Sequence, residues 1–186
     1  MRGRRLRLGR CRSPTCVWSA ALSSVVSFSC SRKISAHFHT FFAYSTGASS
    51  VVLRGAENTL PDSQPEIQAS LQNRDVISVV LGDYHWGALT AAGKLYTWGG
   101  YSSGALGLGD PTQVPRGAPG GYASDAQRQQ ARRLRIIPPV VVEPTEVRFG
   151  TRDGCGGRET FVFGATASGW HMGALVIELE VRAVLR

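Results

Sequence analysis

Gly100-Tyr101-Ser102-Ser103-Gly104 matches Gly-x-Ser-x-Gly, the turn that lifts a serine nucleophile above a hydrolase sheet, and Asp125 and His171 follow in hydrolase order. The chemistry would be acyl transfer through Ser102. Such an elbow needs a helix directly after the serine to aim the oxyanion hole, and Ala105-Leu106-Gly107-Leu108-Gly109-Asp110-Pro111 will not form one. The stretch reads as a glycine-rich turn, and a serine hydrolase is the remotest functional alternative. The same glycines make no phosphate cradle, because no Lys-Ser/Thr pair and no helix follow them. Cys11, Cys16, His37 and His39 can be drawn around a zinc ion, but their spacing fits no zinc module. His37 and His39 would share one face of a strand. With no carboxylate or cysteine beside them, His39 reads as a buried, hydrogen-bonded histidine and His37 as an edge residue. No catalytic residue, cofactor site or metal site is assigned.

The elements that would position these residues centre on 76–110. Residues 77–81 and 86–90 read as strands, 91–93 as a turn with Gly93 at positive φ, and 94–98 as a third strand alternating polar and bulky residues. This unit recurs. Aligning His39, His85 and His171 puts an aromatic (Phe38, Tyr84, Trp170) directly before each histidine, a small residue three before it and an apolar strand after it. His85 and His171 share His-x-Gly-Ala-Leu, and Gly47 and Gly93 each lie eight residues beyond their histidine. Recurrence of one hairpin indicates repeat architecture. It also argues that the histidines pack rather than react, since packing is needed in every repeat and catalysis only once.

Val79-Val80-Leu81-Gly82-Asp83-Tyr84-His85-Trp86-Gly87-Ala88-Leu89-Thr90, then Gly93-Lys94-Leu95-Tyr96-Thr97-Trp98-Gly99 and Gly104-Ala105-Leu106-Gly107-Leu108-Gly109, resembles a repeat of the regulator of chromosome condensation family. Residues 35–55 and 161–179 resemble its fungal branch, which carries an F-box elsewhere in the chain. The resemblance implies an all-β fold: a partial β-propeller of about two to three blades of antiparallel strands, with one inserted helix and a disordered basic N-terminus. It implies structural roles for His39, Gly47, His85, Gly93, Trp98, Gly99 and His171. Repeat cores are expected at 34–55, 76–110 and 144–179, with an insertion at 111–143 and the last blade incomplete. The chain is expected to be the C-terminal portion of a longer propeller, marginally stable and prone to association alone.

The chain has 186 residues, 42% of them hydrophobic and 18% charged, which suits one globular domain. Its formal charge of +8 is confined to the start. Eight Arg and Lys residues lie within 1–33, which hold no acid, and residues 34–186 carry 13 charges of each sign. A nucleic-acid surface would need a concentrated basic patch, and 128–135 is the sole internal candidate. Residues 1–33 are rich in Arg and Ser and hold Cys11, Cys16 and Cys30, three of the four cysteines. A disordered or mispredicted start, an organelle leader and a secretory signal all fit that composition. The apolar run at 16–30 is too short and serine-rich to span a membrane. Cys155 alone cannot staple the body, which suits a reducing compartment, cytoplasmic or nuclear, or mitochondrial if 1–33 is a leader.

The spacing from His85 to His171 is 86 residues against 46 from His39 to His85, so about 40 residues are inserted. Residues 125–135 are expected to form a helix capped by Ser124, with Arg128, Arg132 and Arg135 on one face available to an acidic partner. Residues 144–149 resemble the family's outer strand, where Pro144 is tolerated at an edge. The family resemblance implies a non-enzymatic protein-interaction module that recruits substrates to a Skp–cullin–F-box ubiquitin ligase, through a Skp-type adaptor and a ubiquitination substrate. The alternative it implies is guanine-nucleotide exchange on the small GTPase Ran, or another regulatory role on a small GTPase. No small-molecule substrate, nucleic acid or membrane partner is expected.

Overall fold

The computed structural model of the protein describes residues 32–56, 65–100, 104–134, 140–149 and 159–179. Strands β1 (Arg32–His37), β2 (Thr40–Ser45), β3 (Val52–Ala56) and β4 (Glu66–Ile67) form one antiparallel four-stranded sheet in chain order. A second sheet of the same order contains β5 (Val76–Leu81), β6 (His85–Thr90), β7 (Leu95–Gly99) and β8 (Val141–Glu146). A hairpin of β9 (Glu159–Ser168) and β10 (His171–Leu179) is the third. These are two complete blades and the first half of another, a partial β-propeller.

Period-2 chemistry in β6 and β7 explains why the central blade is packed on both sides. Trp86 pairs with Trp98 and Ala88 with Tyr96, and these four face the first blade. Phe42 meets Trp98 edge-on at a centroid distance of 5.6 Å, and Tyr44, Val52 and Leu71 complete that core. The intervening positions face the hairpin: Leu89 opposite Leu95, which pack with Val147 and Val162, and Gly87, where an added Cβ would lie 3.1 Å from Met172. Phe42 and Trp98 are fully buried, and each such side chain contributes roughly 2–3 kcal/mol by removal from water. Thr97, one of the polar residues buried in the core, donates its hydroxyl proton to the Leu106 carbonyl at 2.6 Å.

Two expected elements are placed differently. Within the expected repeat core 34–55 the chain turns at Phe38-His39 and separates β1 from β2, so His39 lies in a turn and not on a strand. No Gly, Pro, Asn or Asp marks this turn, since Phe38 itself takes φ 46, so the apolar pattern reads through it. β8 pairs with β7 through Tyr96↔Glu146, so it completes the central blade rather than opening the third repeat. The insertion therefore lies between the third and fourth strands of one sheet, and Pro144 lies on that sheet's outer strand. β1 also begins at Arg32, inside the expected leader, whose remaining residues lie outside the described ones.

Within the insertion, α1 (Asp125–Leu134) starts at its cap: Ser124 Oγ accepts from the Gln127 N–H at 3.2 Å, with Asp125 in the first turn and Arg132 and Arg133 in the last. Between the first two blades, β4 is followed by the 3-10 turn Ala69–Leu71, which buries Leu71.

Candidate functional site

In each blade the turn between the first two strands falls at the same rim, and these turns bring together the aligned histidines and their aromatic neighbours. The central turn is fixed by the Gly82 N–H donating to the His85 carbonyl at 2.8 Å. It is bound to the next blade by the Asp83 N–H donating to the Gly169 carbonyl at 2.8 Å. Toward the first blade, His37 Nε2 lies 2.8 Å from Asp83 Oδ1. The Gly100 N–H donates to the Tyr84 carbonyl at 2.6 Å, so the glycine-rich tail leaves the sheet beside this turn.

His85 is fully buried, and its Nε2 lies 3.2 Å from the His171 carbonyl, an acceptor, which assigns the Nε2–H tautomer. Nδ1 has no partner among the described residues. Burial pushes the pKa of His85 below its ordinary value, opposed by the His171 carbonyl and the Asp83 charge. Gly82 has no side chain because His85 occupies the space: a Cβ there would meet the ring Cε1 at 2.4 Å. His85 is thus an inter-blade strut.

His39 and His171 are exposed, so the expected buried role for His39 does not hold. The turn at Phe38-His39 swings His39 outward, and the neighbour that reaches the next blade is His37. In the third copy the His171 backbone, not its ring, makes the bond. Gly47 (φ 103), Gly93 (φ 72) and Gly99 (φ 105) all lie in the left-handed region. Trp98 is buried between the first two blades.

The aromatic before each histidine is at the surface: Phe38 is 79% exposed, Tyr84 60% and Trp170 56%. Tyr84 and Trp170 meet edge-on with centroids 5.9 Å apart, and Phe38 packs edge-on against the His37 ring at 4.7 Å. The signal for this row in the sequence is the aromatic that recurs directly before each aligned histidine. Asp83 gave no signal, because its partner is 46 residues away.

Arg128, half-buried, and Arg132, exposed, both reach back to the loop that precedes their helix. Arg128 donates to the Val114 carbonyl at 3.0 Å and pairs with Asp125 at 3.8 Å, and Arg132 donates to the Thr112 carbonyl at 3.5 Å. They tie α1 to its own loop, while Arg135 and Ser102 lie outside the described residues. Gly104-Ala105-Leu106 forms a turn, not the helix an elbow requires. A cleft of about 150 Å³ between the central blade and the hairpin, lined by Leu95, Thr97, Leu106, Phe149, Met172 and Ala174, holds no titratable side chain. Among the described residues, no group of three or more His, Cys, Asp or Glu could hold a metal ion.

No family model matches the chain. It is 34% identical over 108 residues to SCF-associated factor 1 of Saccharomyces cerevisiae, covering 57% of this chain and 14% of that protein. It is 43% identical over 63 residues to human Alsin, covering 33% of this chain and 4% of that protein. It is 39% identical over 67 residues to the human E3 ubiquitin-protein ligase HERC2, covering 36% and 1%. The chain thus spans about a seventh of SCF-associated factor 1 and less of the other two. Among solved structures, Prp20p of Saccharomyces cerevisiae superposes with a TM-score of 0.52 at 13% identity, over 84% of this chain and 33% of that one.

Proposed function

We propose, on the premise that this chain is a stretch of β-propeller built from regulator of chromosome condensation repeats and akin to the fungal branch of that family, that it works as a non-enzymatic substrate-recruiting module of a Skp–cullin–F-box ubiquitin ligase. The observation that carries the interaction reading is the division of labour in the blades. His85, Trp98 and Gly93 are spent on packing between blades, and the exposed aromatics on the turns are left for a partner. Among the described residues, no nucleophile, base and oxyanion donor come together. The ligase assignment is supported by the likeness to SCF-associated factor 1, whose name records that association.

Guanine-nucleotide exchange on a Ran-type GTPase is the second reading, favoured by the likeness in fold to Prp20p, a protein characterised for binding to Gsp1p and histones. Such a likeness carries the fold and leaves activity to the site. No helix among the described residues is long and apolar enough to cross a membrane, and a cytoplasmic or nuclear site of action accompanies either reading.

Co-purification with a Skp-type adaptor, set against nucleotide release from a Ran-type GTPase, separates the two. Stoichiometric adaptor with no accelerated release supports ligase recruitment. Accelerated release without adaptor overturns it in favour of exchange.

A further inference from the structure

The aromatic row is a repeated feature that the packing of the blades leaves largely exposed. A ring at the same turn position in three successive blades, more than half exposed each time, runs against the ordinary drive to bury large apolar side chains. The row is continuous: Phe38 adjoins His37, His37 bonds Asp83, Asp83 adjoins Tyr84, and Tyr84 meets Trp170 edge-on. Fixed turns hold the rings in place, so little conformational freedom is lost when a ligand settles on them.

The electrostatics select the ligand. In the turn segments 37–40, 82–85 and 168–171 the one formally charged residue is Asp83, and no Lys or Arg is present. A phosphate-bearing strand would need cationic groups along the row. Electron-rich ring faces beside a carboxylate instead favour an ammonium or guanidinium group. We infer that the Phe38–Tyr84–Trp170 rim is a docking surface for an extended, Lys- or Arg-bearing segment of a protein partner, with basic side chains on the rings and Asp83 as their counter-charge. This rests on the interaction-module reading and names its surface.

The test titrates the full chain with a Lys-Gly repeat peptide, a matched Glu-Gly peptide and a single-stranded oligonucleotide. The Lys-Gly peptide is expected to bind in preference to both others. Tyr84→Ala and Trp170→Ala are each expected to weaken it about three-fold, the effect of removing one exposed cation–π contact. Tyr84→Phe should retain affinity, and Tyr84→Leu, which keeps the apolar bulk and loses the ring face, should behave like Tyr84→Ala. Because these side chains are exposed, their melting temperatures should stay with the parent's, and the Phe–Leu contrast reads the ring at constant bulk. Equal binding of the Glu-Gly peptide, tighter binding of the oligonucleotide, no binding of the Lys-Gly peptide, or indifference to Tyr84→Leu and Trp170→Ala each overturns the inference. If the row fails while the Skp-type adaptor still co-purifies, the row alone falls. Loss of both removes the module reading as well.

Discussion

The contact between Gly82 and His85 makes a prediction that uses only packing and one hydrogen bond. His85→Ala strands the His171 carbonyl that accepts from Nε2 at 3.2 Å and empties a fully buried ring site, so the expected loss is about 2–4 kcal/mol. Gly82→Ala, in contrast, adds one methyl where the ring already stands, 2.4 Å from Cε1 and 2.6 Å from Nε2. The ring must tilt from its bond, and overpacking of that kind costs about 1–3 kcal/mol. In the double variant the new methyl enters the space the ring vacated, while its approach to the Gly169 carbonyl at 2.9 Å remains. The added cost of Gly82→Ala should therefore fall below about 1 kcal/mol, a favourable coupling of about 1–2 kcal/mol. Equilibrium urea unfolding of the four proteins, followed by tryptophan fluorescence, measures each term. If Gly82→Ala costs the same in both backgrounds to within about 0.5 kcal/mol, the strut geometry is wrong.

Three further outcomes are expected. Gly93→Ala should destabilise by about 2–4 kcal/mol in the same urea assay, because a Cβ at φ +72 would also strike the Phe161 ring at 2.3 Å. Below its ordinary value of 6.5, His85 stays neutral in the fold while its unfolded counterpart takes a proton. Stability is then full above that value, is lost as pH falls from it to the lowered folded value, and changes no further below; urea midpoints across that range should show the slope, and His85→Ala should abolish it. Ser124→Ala should weaken α1 by about 1 kcal/mol through loss of the bond to the Gln127 N–H, read as faster amide exchange in the helix while the blades keep theirs.

The central blade was legible because its signals are local. The alternation of polar and bulky residues at 94–98 marked a strand, although stacking on both faces buries all of 95–99, and the turn glycine Gly93 follows from its immediate neighbours. The helix and its cap were legible for the same reason. The turn at Phe38-His39 was not, since a phenylalanine takes the left-handed conformation that a sequence reader reserves for Gly or Asn. The direction taken by Arg128 and Arg132 depends on carbonyls at Val114 and Thr112 that periodicity does not reveal.

By itself the sequence determined that this is a repeating β-hairpin protein, since recurrence of aromatic-His, turn glycine and alternating strand requires only one-dimensional order. Tertiary structure decided which copy of each repeated residue does what. His85 is buried because two blades close over it, while His39 and His171, on the same motif, face solvent. The ownership of β8, the bond from His37 to Asp83 and the assembly of Phe38, Tyr84 and Trp170 into one row were likewise set by stacking. The physical reason is that a strand's own pattern specifies which face is apolar, whereas the neighbour that covers that face comes from a blade tens of residues away, and the chain between them leaves no periodic trace of the meeting.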